Sequence, residues 1–177
     1  MRVAYADPPY PGRAYMYKER QEVDHEELIA KLRTFDGWAL SSSSSALRML
    51  LPMCPERVRV MAWVKPFASW KPGVNPAYAW EPILVVPARK RGRELPTVRD
   101  WVSVNITLKK GLAGAKPREF CMWLFEALGM LPGDEFHDLF PGTGIVTKCH
   151  EQWANPPTQE SLELRGSGHR DLEKNDG

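Results

Sequence analysis

What this sequence lacks narrows it first. No apolar run approaches the roughly 18 residues of a membrane-spanning helix, and the first residues show no charged segment followed by a long apolar one. Neither a membrane span nor a signal peptide is expected, which points to the cytoplasm. Cysteine is scarce: Cys54, Cys121 and Cys149 are an odd number without pair spacing. That argues against a disulfide framework or a zinc site and for reduced thiols. His25, His137, His150 and His169 have no ligand spacing, so no metal is expected. There are no internal repeats, and the net charge of +2 over 177 residues says little by itself about partners.

What is present suits one folded domain. Hydrophobic residues make up 43% of the chain and there are seven tryptophans, enough for a sizeable core. The domain is expected over 1–155, followed by a polar, disordered tail over 156–177. Charge is unevenly spread. Residues 88–118 hold nine bases and two acids, +7 in one segment, which leaves the rest at about −5. Such a stretch suits a polyanion, since phosphate contacts dominate non-specific nucleic-acid affinity; the bland alternative is a solvated loop.

Short apolar runs alternate with helical ones. Strands are predicted at Arg2–Ala6, Gly37–Leu40, Val58–Val64, Ile83–Val86 and Glu135–Phe140, with a further short one at Val102–Thr107. Helices are predicted at Asp24–Phe35, capped by Asp24; at Ala46–Met53, capped from the Ser41–Ser45 run; at Pro117–Leu128; and at Gly144–Trp153. This order argues for a mostly parallel, doubly wound α/β sheet. Trp63, Trp123 and Trp153 read as core.

Two motifs stand at strand ends. Asp7-Pro8-Pro9-Tyr10 follows the first strand, where open α/β sheets place ligand chemistry. Asp138-Leu139-Phe140-Pro141-Gly142-Thr143-Gly144 closes the last strand and opens a helix. Its two glycines allow a tight turn and close backbone approach, beside the free amides of a helix N-terminus. The longer Gly-x-Gly-x-x-Gly dinucleotide pattern is not met, because position 147 is Thr. By itself this second motif could also be a plain strand–helix turn.

The pair resembles the S-adenosylmethionine-dependent methyltransferases that act on exocyclic amines of bases. Asp-Pro-Pro-Tyr is similar to their catalytic motif and Asp-x-Phe-x-Gly-x-Gly to their cofactor motif. The order, catalytic motif first, resembles the circularly permuted β class, relatives of the mRNA adenine methylases. Trp63-Val64-Lys65, Trp80-Glu81-Pro82-Ile83-Leu84-Val85 and Lys116-Pro117 fit the same pattern. The resemblance covers about residues 2–153 and is greatest to small phage-encoded DNA methylases, which would place the protein in a bacterial host's cytoplasm.

That resemblance implies a Rossmann-like class I methyltransferase sheet and S-adenosylmethionine as cofactor. Asp7 and the Pro8 carbonyl would accept hydrogen bonds from the adenine N6 amine, Pro8 and Pro9 would contribute no competing amide donors, and Tyr10 would stack on the base. Asp7, Asp138, Phe140, Gly142 and Gly144 would hold the cofactor, with Lys116 on its carboxylate. Lys65 and Glu81 would lie near the base, unless they only pair with each other; Phe140 could be plain core. Arg89, Lys90, Arg91 and Arg93 would contact the DNA substrate. Asp rather than Ser before Pro-Pro leans toward adenine N6. An RNA adenine or cytosine-N4 methylase, or an inactive nucleic-acid-binding module, remain the alternatives.

One departure from the family pattern is plain. The sheet is expected to be trimmed to about five main strands, without an acid-ending strand for the cofactor's ribose; Glu151 or Gln152 is left to substitute. The adenosine pocket would then be open. That implies weak cofactor binding, completion by a second copy or a partner subunit, or lost activity. Without room for a large recognition domain, low sequence specificity is expected, with recognition falling to Pro11–Glu22, Pro66–Tyr78 and the basic segment 88–115.

Overall fold

The computed structural model describes residues 1–12, 22–67, 73–106 and 116–156. The expected disordered tail beyond residue 156 lies outside them, as do most of the loop 11–22 and the pair Lys109 and Lys110.

Six strands form one sheet: β1 (Arg2–Ala6), β2 (Gly37–Ser41), β3 (Arg59–Val64), β4 (Trp80–Val86), β5 (Trp101–Ser103) and β6 (Glu135–Asp138), in the order β5-β3-β4-β2-β1-β6. Five are main strands and the sixth is the three-residue edge strand β5. β1 runs parallel to both β2 and β6, and β3 parallel to β5. β4 is antiparallel to both neighbours, β2 and β3. The expectation of a mostly parallel sheet thus holds for every strand but β4. Its reversal is invisible in its apolar run, because a strand buried on both faces has the same pattern in either direction. Among the described residues no helix separates β3 from β4, and antiparallel neighbours need no helical crossover.

β4 also begins three residues earlier than the sequence suggests, and contains Pro82 in a central position. Proline is costly there only if its missing N–H faces a partner. The Ser42 amide donates to the Pro82 carbonyl at 3.0 Å. The reciprocal bond that proline cannot make falls just past the end of β2, so one terminal rung is lost rather than a central one.

Side-chain alternation sorts the core into two layers. Val3 and Tyr5 of β1, Ala39 of β2 and Ile83 and Val85 of β4 pack with Phe120, Leu124 and Phe125 of α3 (Arg118–Ala127) and with Val146 of α4 (Ile145–Ala154). Ala4 and Ala6, Trp38 and Leu40, and Leu84 and Val86 face the other way, onto Leu28, Ile29 and Leu32 of α1 (His25–Leu32) and Leu50 of α2 (Leu47–Leu50). Period-2 strands between period-3.6 helices give a three-layer α/β/α sandwich. Trp63 is buried, while Trp123 and Trp153 pack partly buried against the α3/α4 layer.

Helix ends follow local chemistry. The Asp24 carboxylate accepts from the amides of Glu26 at 2.9 Å and Glu27 at 3.0 Å, the cap expected of it. Pro117 caps α3 from just outside rather than sitting in its first turn. The serine run does not cap α2: the helix opens with a 3-10 turn, Ser44–Ala46, the Ser43 hydroxyl bonds that of Ser45, and Ser41 and Ser42 are buried at the end of β2.

Candidate functional site

β1 and β6 are adjacent and parallel, with Tyr5 opposite Asp138 in the register, and the Leu139 amide donates to the Tyr5 carbonyl at 2.9 Å. The motifs from opposite ends of the sequence therefore emerge side by side at the carboxyl ends of two neighbouring strands, where α/β sheets bind ligands. Between them lies a cavity of about 230 Å³. Asp7, Tyr10, Lys65, Glu81, Lys116, Phe140 and Gly142 line it, seven of the residues singled out from the sequence. Pro8 and Pro9 carry the chain from Asp7 to Tyr10 without forming the wall. Asp138 lies behind the wall at the end of β6, and Gly144 caps α4.

Charge in the cavity is matched. Lys116, 6% exposed, donates to Asp7 Oδ2 at 2.6 Å. Its ammonium lies 5.3 Å from the Trp63 ring centre and 5.9 Å from that of Phe120, within cation–π reach. Lys65 forms an ion pair with Glu81 and sits 4.6 Å from the same Trp63 ring. Trp63, expected as core, is both: buried, anchored by its Nε1 donating to the Val104 carbonyl at 2.8 Å, and part of the cavity wall. Lys65 and Glu81 pair with each other, and both line the cavity. β3 and β4 bring them together, since the antiparallel register puts Trp63 opposite Glu81.

Tyr5 was not singled out, yet its ring lines the cavity and its hydroxyl shares a 2.7 Å hydrogen bond with Ser41. Burial, reinforced by the nearby Asp7 charge, raises its pKa well above the usual value, so it stays a neutral phenol. Reading β1 as a buried strand hid it, because a buried tyrosine looks like core until its neighbours are known.

Asp138 is raised from the ordinary carboxylate range, first by burial and then by the Asp7 charge; hydrogen bonds from Thr147 and from the Phe140 amide, and the Lys116 charge, act the other way. Thr147 Oγ1 donates to Asp138 Oδ2 at 3.1 Å. Asp138 Oδ1 is buried and has no hydrogen-bond partner among the described residues, an arrangement that normally signals a missing donor. Gly142 and Gly144 have φ of +46° and +70°, left-handed values that other residues adopt at a cost.

The remaining candidates lie elsewhere. β3 runs toward the cavity and β4 away from it, so the ends carrying Arg59 and Ala88 are at the opposite edge of the sheet. Arg89, Lys90, Arg91 and Arg93 line a second, larger groove there, and so do not share a wall with Asp7. Arg89 is further committed: it donates to both Asp134 oxygens at 2.6 and 2.9 Å and to the Gly129 carbonyl at 2.6 Å. That contact first, together with other hydrogen bonds and against the effect of burial, holds the Asp134 carboxyl well below the usual range. Glu151 and Gln152 are exposed along α4, about 10 Å from its start at 1.5 Å per residue, and do not line the cavity. Among the described residues β6 is an edge strand, paired only with β1, and no cluster of His, Cys, Asp and Glu could hold a metal. No helix among them is long and apolar enough to cross a membrane.

No family model and no curated protein matches this chain. Solved structures do. The crystal structure of M1.HpyAVI in complex with SAM superposes with a TM-score of 0.60 at 15% identity, covering 86% of this chain and 77% of that one. A second crystal structure of M1.HpyAVI gives 0.57 at 12% identity, over 95% and 86%. At these identities the likeness establishes the shared fold.

Proposed function

We propose that the chain transfers a methyl group from S-adenosylmethionine to the exocyclic N6 amine of adenine in DNA. The observation that carries this reading is the convergence of Asp7, Tyr10, Lys116, Phe140 and Gly142 on one cavity, with Asp138 two residues before Phe140 at the end of β6. A similar fold is found holding SAM in the M1.HpyAVI complex.

The residues present fit such a cofactor. The Asp138 carboxylate at the end of β6 supplies a negative charge suited to its ammonium group, a buried lysine suits its carboxylate, and the left-handed turn at Gly142 keeps side-chain atoms away from both. A cavity of about 230 Å³ is below the usual ligand-pocket range of about 300–1,000 Å³. It fits the amino-acid end with the adenosine end at the open side of β6.

When bound, the cofactor supplies an electrophilic methyl carbon; the chain supplies geometry. An N6 amine is a poor nucleophile because its lone pair is delocalised into the ring. With Lys116 on Asp7 Oδ2, Oδ1 is left to accept from the amine, and the Pro8 carbonyl is the second acceptor. Two acceptors would draw the nitrogen toward tetrahedral geometry and turn its lone pair to the methyl carbon for direct in-line displacement. Lys116, while holding Asp7, also sets a buried positive charge at the cavity wall, where it suits the cofactor carboxylate. Tyr10 would stack on the base, worth roughly 1–3 kcal/mol. Holding two reactants in this geometry can supply about 7–11 kcal/mol of the barrier.

A second reading, a domain that binds nucleic acid without methylating it, draws on β6 being an edge strand among the described residues. Calorimetric titration with S-adenosylmethionine, beside Asp138→Ala, separates the two. Binding that the variant abolishes, followed by N6-methyladenine in treated DNA detected by mass spectrometry, supports the enzyme. Absence of binding at millimolar cofactor, for the chain alone and with any subunit that copurifies, overturns it.

A further inference from the structure

The second groove lies at the edge of the sheet opposite the cavity. Its volume is about 880 Å³. Its bases come from two segments, the entry to β3, with Arg57 and Arg59, and the loop after β4, with Arg89, Lys90, Arg91 and Arg93; Glu126 and Ala127 at the end of α3, with Gly129, complete the wall. Six residues at about 3.3 Å each separate Arg59 from Lys65 along β3, so the groove is about 20 Å from the cavity. A single nucleotide cannot touch both.

Its charge is unlike that of the cavity. Of the residues lining the groove, Glu126 is the one acid, against six bases. Arg89 is held by Asp134. Among the described residues, none of the other five bases makes an ion pair within 4 Å. Arg91 donates its Nε–H to the Pro96 carbonyl at 2.7 Å, which ties the loop to itself. All five are exposed, and four are arginines. Packing like charges together costs folding free energy through self-repulsion, and nothing in the core requires them here. Arginine is the residue suited to planar, bidentate contact with phosphate oxygens. Bases drawn from two segments across one elongated depression match a repeating anion better than a single one.

We propose that this groove binds the phosphodiester backbone of a nucleic acid at a site separate from the cavity, anchoring the polymer without reading or modifying it. The proposal does not depend on methyl transfer, so binding measured without cofactor tests it independently. Fluorescence anisotropy of a labelled duplex against the full chain, in titrations from about 50 to about 200 mM salt, gives affinity and salt slope. The test variant is Arg57→Gln/Arg59→Gln/Arg91→Gln/Arg93→Gln. Expected is a rise in Kd of tenfold or more, and a shallower slope, by about 0.9 for each phosphate no longer neutralised and about 3–4 in all. Lys31→Gln, at an exposed base on α1 outside both the cavity and the groove, should leave the slope unchanged. Single-stranded DNA and RNA, run in parallel, identify which polymer supplies the backbone; weakening of any of them by the fourfold variant upholds the groove. An unchanged Kd and slope for all three polymers overturns it, as does an equal flattening of the slope by Lys31→Gln. Should circular dichroism show the fourfold variant unfolded, Arg57→Glu and Arg93→Glu are read singly by the same criteria.

Discussion

Around the cavity charged side chains are paired, Lys116 with Asp7 and Lys65 with Glu81; at the opposite end of the sheet five bases make no ion pair among the described residues and share their groove with one acid, Glu126. The paired end is small and partly buried, with Lys116 deepest, where an uncompensated charge would be expensive. Its polarity is arranged in opposed groups, which suits a ligand carrying both signs. The unpaired end is exposed, where solvent makes a lone charge cheap and a polyanion can displace counterions. On the readings proposed above, the molecule would separate two tasks, holding a small zwitterion and attracting a polymer.

Breaking the paired end should produce the largest effect. Asp7→Ala is expected to lower the rate of adenine methylation by about 10²–10³-fold, the loss typical of one preorganised hydrogen-bonding group at a reacting centre. The salt slope of DNA binding should not move. A variant that keeps its rate would remove Asp7 from the chemistry.

At the groove, one base is structural, and removing its partner sharpens the contrast with the others. Asp134→Asn is expected to cost about 2–3 kcal/mol in denaturant unfolding, somewhat less than a fully buried pair because Arg89 is a quarter exposed. Asp134 titrates below its unfolded value near 3.9. Its stabilisation is therefore complete above pH about 4 and lost as pH falls from there toward the lower folded value. The native chain should lose stability through that window more steeply than the variant. Equal slopes with pH would show that the ion pair is idle.

Asp138 should behave in the opposite sense. Its folded carboxyl titrates above the usual range, so on acidification cofactor affinity, read by calorimetry, should begin to fall at a higher pH than an ordinary carboxylate would allow. A fall that comes no earlier than for an ordinary carboxylate would mean that Asp138 does not meet the ligand's cation.

The smallest effect is expected at the turn. A Cβ at Gly144 would meet nothing within 4 Å, so Gly144→Ala suffers only the left-handed φ of +70°, about 1–2 kcal/mol. Thermal unfolding checks this; a loss above about 3 kcal/mol would point to a packing role instead.

Much of this fold was legible because period-2 and period-3.6 patterns report burial. β1, β2, α1 and α3 follow from their apolar positions and caps. The direction of β4 was not legible, since two-sided burial erases it, and Pro82 concealed the strand's first residues. Within the site, Asp7, Tyr10, Lys116, Phe140 and Gly142 could be named in advance, whereas Tyr5 and Trp63 were hidden because a wall residue of a cavity and a core residue have the same sequence signature.

By itself the sequence determined the chemical vocabulary: an acid and two prolines after one buried strand, an acid and two glycines after another, and a run of bases between them. Only the tertiary structure decided which of these meet. Parallel pairing of β1 with β6 joins the two motifs. Reversal of β4 brings Glu81 to the cavity and sends Lys90, Arg91 and Arg93 to the far edge. Nearness along the chain cannot predict nearness in a sheet, because each strand carries its two ends about 20 Å apart.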